Sequence, residues 1–259
     1  MRKLTFLIMI IFALTSFSTL SFAEKKQKIV KEVNDPTFKG NVKAAEHYQN
    51  GNNAFRKGDY QKAISEYQAS LQLIPDNYKV LYAMGLAYKK MNNLPKAVDF
   101  FQQAAEKNPQ YEKAFSQLGA TYLVMKKFKL SYDNYKKASE LKPKDYRNFY
   151  GMAKAAYFMN KYNDAIENFK KVLSLRVPSG RKRKVYELLI RTYLDANKYS
   201  AVISTYEEYP ANKRNKRATF YYGEALYRVG KKKQSLKVFQ KLGSFPGARQ
   251  WVEKIKKEI

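Results

Sequence analysis

The sequence predicts an all-α chain of about six stacked helix-turn-helix units closed by a C-terminal helix. Three observations carry that expectation. Landmarks recur every 34 residues: glycines at 51, 85 and 119, prolines at 75, 109 and 143, and rings at Tyr67, Phe101 and Tyr135. Within a unit the apolar residues follow a helical period, as in Leu81, Met84, Gly85 and Tyr88. Asn92-Asn93 interrupts that stripe, and Ala97, Phe101, Ala104 and Ala105 begin a second one. Pro109 then closes the unit, because proline cannot continue a helix interior. One helix pair cannot bury its own apolar faces, whereas stacked pairs can.

Residues 1–23 have the three parts of a secretory signal peptide: Arg2 and Lys3, an apolar run from Leu4 to Leu14, and small residues at Ser21 and Ala23. The run is shorter than the roughly 20 residues needed to span a bilayer, and no later stretch is apolar enough. The expectation is an exported bacterial chain, periplasmic or, alternatively, secreted or envelope-associated. Residues 24–43 show no sustained helical period, carry turn signals at Asp35-Pro36 and Gly40, and are expected to form a flexible leader.

The repeats are expected at about 44–77, 78–111, 112–145, 146–179, 183–215 and 216–243. The fourth copy keeps Ala165 and Phe169, and its proline slips to Pro178. The fifth is more divergent, with Tyr193, Tyr199 and Tyr206, and the sixth returns with Gly223, Tyr227, Gly230 and Phe239. After the Pro246-Gly247 break, residues 244–259 are expected to supply a capping helix with Trp251, Val252, Ile255 and Ile259 on one side.

This pattern resembles the tetratricopeptide repeat family. The second repeat matches the family's positions with Leu81, Met84, Gly85, Tyr88, Ala97, Phe101, Ala104 and Pro109. The third does so with Phe115, Leu118, Gly119, Tyr122, Ser131, Tyr135, Ala138 and Pro143. The first departs at His47 and Asn50, polar where the family is bulky, and Val202 and Ser235 replace alanine in the fifth and sixth. The resemblance implies a right-handed superhelical solenoid whose concave groove is lined by positions 2, 5, 9 and 12 of each first helix. It covers about 200 of the 259 residues.

Position 2 holds Lys79, Lys113, Arg147, Lys184 and Arg217 in repeats two to six. Beside them the resemblance places Tyr48, Asn52, Tyr82, Tyr150, Lys154, Tyr157, Arg191, Phe220 and Tyr227. Cations interleaved with tyrosines suit an extended acidic segment, through charge-assisted hydrogen bonds and flat apolar contact. The two-carboxylate clamp of some relatives is matched only by Asn52 and Lys113, and not by Tyr48, Ala83 and Gln117. The expected partner is therefore an acidic protein or peptide held on a scaffold, without clamp-type recognition.

The chain has 259 residues, no cysteine, one histidine and a formal net charge of +28. Disulfide scaffolds, thiol nucleophiles and multi-histidine metal sites are excluded. His47 falls at a packing position, no Ser motif accompanies it, and the glycines lack the Lys-Ser/Thr of a phosphate loop. No catalytic residue, metal site or cofactor is expected, and the chain is not expected to be an enzyme. Basic clusters at Arg181–Lys184, Lys213–Arg217 and Lys231–Lys233 concentrate charge toward the C-terminus. They support a competing expectation, an electrostatic binder of anionic lipid or cell-wall polymer with the groove incidental. Nucleic acid is not the expected partner of an exported chain.

Overall fold

A computed structural model describes residues 35–259. The signal expected at 1–23 and the first part of the leader lie outside the described residues. Among the described residues there are thirteen α-helices, two short 3-10 turns and no strand. The described residues divide into two compact units, 35–114 and 115–259.

In the N-terminal unit α1 (Val42–Lys57) pairs with α2 (Tyr60–Leu73), and α3 (Tyr78–Lys90) with α4 (Leu94–Lys107). The pairs are antiparallel: Ser70 Oγ, near the end of α2, donates to Ala44 O at the start of α1 over 2.8 Å. The leader is not irregular throughout. Pro36–Phe38 forms a 3-10 turn and Phe38 is fully buried. Averaged over 24–43 the composition reads as polar. Yet one buried phenylalanine is worth roughly 1.5–3 kcal/mol, and the Asp35–Lys79 pair and the bond from Asn77 to Thr37 O add to its hold on the turn.

The C-terminal unit takes up α5 (Glu112–Val124) from Phe115 onward. It continues with α6 (Phe128–Leu141), α7 (Tyr146–Phe158), α8 (Tyr162–Ser174), α9 (Ser179–Asp195) and α10 (Tyr199–Glu208). It ends with α11 (Lys216–Arg228), α12 (Lys232–Leu242) and α13 (Ala248–Lys256). α9 begins at Ser179, ahead of the expected repeat start at 183, because Pro178 is the residue before it rather than a terminator placed deeper in the repeat. α10 is short, and the linker after it is pegged by Tyr209, which is buried and donates to Lys213 O.

Local rules set these boundaries. Asn41, Asp59, Asn77, Asn93, Asp145 and Asn215 each accept a backbone N–H from the first turn of the helix they precede. Between the helices of each pair one residue is left-handed: Gly58, Asn92, Lys126, Asn160, Asn197 and Gly230. That is the conformation that reverses the chain in a turn of two residues after α1 and of three in the other pairs.

The core explains the 34-residue period. A Cβ placed on Gly51 would stand 2.4 Å from the Tyr67 ring, on Gly85 2.5 Å from Phe101, and on Gly119 2.8 Å from Tyr135. The position-8 glycine thus exists to let the position-24 ring lie flat against the first helix. Where serine replaces the position-20 alanine, its hydroxyl bonds across the pair: Ser131 Oγ to Gly119 O at 2.8 Å, and Ser235 Oγ to Gly223 O at 2.7 Å. Both serines are fully buried, so the hydroxyl is satisfied rather than stranded.

Candidate functional site

The N-terminal unit shows what becomes of the residues expected to line a groove there. Tyr48, on α1, packs between Phe38 (ring centroids 5.2 Å) and Tyr67 (6.0 Å). Asn52, one turn on, accepts the Tyr67 hydroxyl at 2.9 Å, so it serves the core as well as the surface. Tyr82, on α3, meets Phe101 at 5.6 Å and the edge of Tyr111 at 5.3 Å, and Tyr78 meets Tyr111 at 4.8 Å. Burial drives the Tyr111 hydroxyl well above its ordinary pKa, with neighbouring tyrosines adding to it. Lys79 is paired with Asp35 and half-buried. Burial alone lowers its pKa, yet the hydrogen bond and charge of Asp35 outweigh burial and hold it above the ordinary value. Lys113 is exposed.

His47 Nδ1 lies 2.8 Å from Glu66 Oε2, tying α1 to α2. Among the described residues no three His, Asp or Glu side chains gather as a metal site, and no helix is long and apolar enough to cross a membrane.

In the C-terminal unit the first helices α7, α9 and α11 bring together residues that the sequence separates. Arg191, on α9, lies over the Tyr157 ring of α7 at 5.4 Å. The Tyr157 hydroxyl donates to Asp195 Oδ2 at 2.6 Å, and Arg191 Nε stands 3.6 Å from the same oxygen. Burial, then the bond to Asp195, pushes the Tyr157 pKa up. Tyr150 carries two cations, Arg181 at 5.8 Å and Lys154 at 6.0 Å from its centroid. Burial raises Tyr221, on α11, while Arg191 and Arg217 draw it back.

Glu187 organises the neighbouring part of α9. Its side chain is 9% exposed, and it takes Lys184 Nζ at 2.8 Å, Asn215 Nδ2 at 2.9 Å and Arg217 Nη1 at 3.4 Å. Burial raises its pKa, but these bonds and charges outweigh burial and hold it below the ordinary value. Arg147 is likewise engaged, forking onto Asp145, the residue that caps its own helix.

Four of the five cations at the second position, Lys79, Arg147, Lys184 and Arg217, therefore meet a carboxylate of this chain. Within each unit, these positions are ion pairs set among rings rather than a run of like charges. Phe220 and Tyr227 are drawn into the end of the unit. Phe220 packs on Phe239 and Phe245, and Tyr227 on Trp251 of α13. Sequence reasoning missed Glu187 and Arg181 as parts of the face. Arg181 stood in a basic run, and the signal for Glu187 was its isolation: it is the one acid between Arg176 and Asp195.

Family models described as tetratricopeptide repeat match residues 54–122 and 146–176. No curated protein matches the chain. Among solved structures, PilF of Pseudomonas aeruginosa is 16% identical with a TM-score of 0.60, over 85% of this chain and 99% of that one. A tetratricopeptide repeat protein of Parabacteroides merdae is 17% identical with a TM-score of 0.54, over 95% of each chain. MamA of Desulfovibrio magneticus, from residue 41 to its end, is 19% identical with a TM-score of 0.59, over 64% of this chain and 92% of that one. At these identities the likeness is one of fold.

Proposed function

We propose that this chain, a tetratricopeptide repeat protein, is a non-enzymatic interaction scaffold that holds an acidic partner segment on the face formed by α7, α9 and α11. One observation carries the reading: Arg191 and Arg181 are each laid over a tyrosine of α7. A stacked guanidinium is pre-oriented, so it donates to a carboxylate at low entropic cost. Both arginines are exposed while the rings beneath them are half-buried. The reading takes the chain to be exported, on the three-part pattern of residues 1–23, and mass spectrometry of envelope protein should find a mature chain beginning at Glu24.

A short fluorescent oligoglutamate peptide is the probe. Arg181→Glu combined with Arg191→Glu should weaken it by roughly tenfold or more, a loss of about 1.4 kcal/mol, without lowering the melting point. Unchanged affinity in that variant sinks the reading. A second reading is favoured by the exposure of Lys231 and Lys233, together with Lys213, Lys216 and Arg217: general attraction to anionic lipid or cell-wall polymer. Under it, Lys231→Glu with Lys233→Glu costs as much as the arginine pair, and affinity falls steeply with salt for every variant.

A further inference from the structure

The turn Pro36–Phe38 and the Asp35 before it lie across the N-terminal unit as a bound peptide would. The Asp35 carboxylate pairs with Lys79, the position-2 cation of the second repeat. Asn77 Nδ2 donates to Thr37 O at 3.0 Å, while its Oδ1 accepts from Lys79 N at 3.1 Å as the cap of α3. Phe38 is fully buried against Tyr48, the position-5 ring of the first repeat, and among the alanines of α1. The segment thus satisfies a cation, a backbone-reading amide and an aromatic pocket, all from residues expected to face a partner or adjoining them. It stands outside the repeats and joins α1 through Lys39 and Gly40, both left-handed, and the cap residue Asn41, whose N–H donates to Phe38 O at 2.8 Å. For Lys39 that conformation is costly, on the order of 1 kcal/mol.

We propose that residues 35–38 are an internal occupant of a peptide site on the N-terminal unit. The site accepts from a partner a segment of the same chemistry: an aspartate or glutamate followed three residues later by a phenylalanine or tyrosine. The partner gains access by displacing the internal segment, so the chain's own Asp35 sets the threshold for binding. Pre-occupation lowers apparent affinity by the fraction of molecules in which the site is open. The inference goes beyond the function proposed above and draws on the N-terminal unit alone, so its failure leaves the arginine–tyrosine face of the other unit untouched.

The test uses the full chain and a fluorescein-labelled hexapeptide with the sequence of residues 35–40, followed by anisotropy. Asp35→Ala loosens the internal segment while leaving Phe38, and should bind the hexapeptide roughly tenfold more tightly than the parent chain. Adding Lys79→Glu to Asp35→Ala should abolish that binding. A hexapeptide carrying lysine in place of the aspartate should restore it. A hexapeptide with alanine in place of the phenylalanine should not bind at all. Equal affinity of the parent and Asp35→Ala for the hexapeptide overturns the proposal, as does binding that survives Lys79→Glu without change of peptide. If Phe38→Ala, used to empty the pocket, unfolds the first repeat, the milder Asp35→Ala series decides alone.

Discussion

In the N-terminal unit Phe101 lies against Gly85, and in the C-terminal unit Phe239 lies against Gly223 in the same way. The cations at the second position of the first helices keep different company. Lys79 is held by Asp35, from outside the repeats. Lys184 and Arg217 converge on Glu187, inside a first helix. The ring-on-glycine contact is repeated because every helix pair must close over the same small volume. The polar face has no such volume to fill, so each unit answers its cations with whatever carboxylate its own sequence supplies. The repeat period therefore reports packing, and departures from it report the polar contacts particular to each unit.

The largest expected effect separates the packing of the two units. Gly85→Ala places a Cβ 2.5 Å from the ring of Phe101, which is fully buried and cannot swing away. Overpacking there outweighs the helix propensity gained, for a net loss of about 2 kcal/mol. At Gly223 the nearest ring atom is 3.0 Å away, and a shift of a few tenths of an ångström relieves it. There the gain of about 0.5–1 kcal/mol from removing a helical glycine nearly cancels the cost. Urea unfolding of both variants measures the difference, and equal losses would break the comparison.

Glu187→Gln comes next, at about 1.5 kcal/mol near neutral pH, for a charged hydrogen-bond acceptor made neutral. The folded carboxyl is held below its ordinary value of 4.5 because Lys184, Asn215 and Arg217 outweigh burial. Its contribution is therefore complete above that value and is lost as pH falls through the lower folded value. The gap between parent and variant should close on acidification. Asp35 acts in the same sense in the other unit, below its ordinary 3.8. A gap that widens toward low pH would mean that Glu187 is a burden rather than a clasp.

Ser131→Ala should cost less, about 0.5–1 kcal/mol. The variant loses the bond to Gly119 O but restores the residue found at Ala63, Ala97 and Ala165. The reverse change, Ala97→Ser, should be close to neutral if the carbonyl of Gly85 can accept in the same way. Chemical denaturation of the two variants side by side tests whether this position is interchangeable between units.

Much of the fold was legible because its determinants are periodic. The glycines, rings and prolines at 34-residue spacing mark contacts between helices adjacent in sequence, and such contacts leave local patterns. The face was legible only in part. Lys79 and Tyr48 were readable from register, but Asp35 pairs across 44 residues with no repeat to announce it, and Phe38 is a single ring in a polar stretch. Phe220 and Tyr227 share the register of the upstream residues expected to face a groove, yet the end of an array has a different neighbour: Phe245, just before α13, meets Phe220, and Trp251 of α13 meets Tyr227. Glu187 was overlooked because a lone acid among cations has no motif; its role comes from Asn215 and Arg217, which only the stacking of α9 on α11 delivers.

The smallest effect concerns the turns. In the N-terminal unit the left-handed residue is Gly58 or Asn92, both suited to positive φ, whereas the C-terminal unit, which has Asn160, Asn197 and Gly230 in its other turns, places Lys126 at φ 59° in one of them. Lysine has no local hydrogen bond to offset the crowding of its Cβ in that region, while asparagine and glycine enter it readily. The Lys126 side chain is exposed, so replacing it removes no packing. Lys126→Asn should stabilise by about 0.5 kcal/mol, and Asn92→Lys should cost the N-terminal unit a similar amount. A denaturation midpoint that moves up for the first and down for the second would show that the turn follows backbone conformation in both units. Were both to move the same way, the side chain at 126 would have to contribute something its exposed position does not suggest, and the equivalence of the turns would fall.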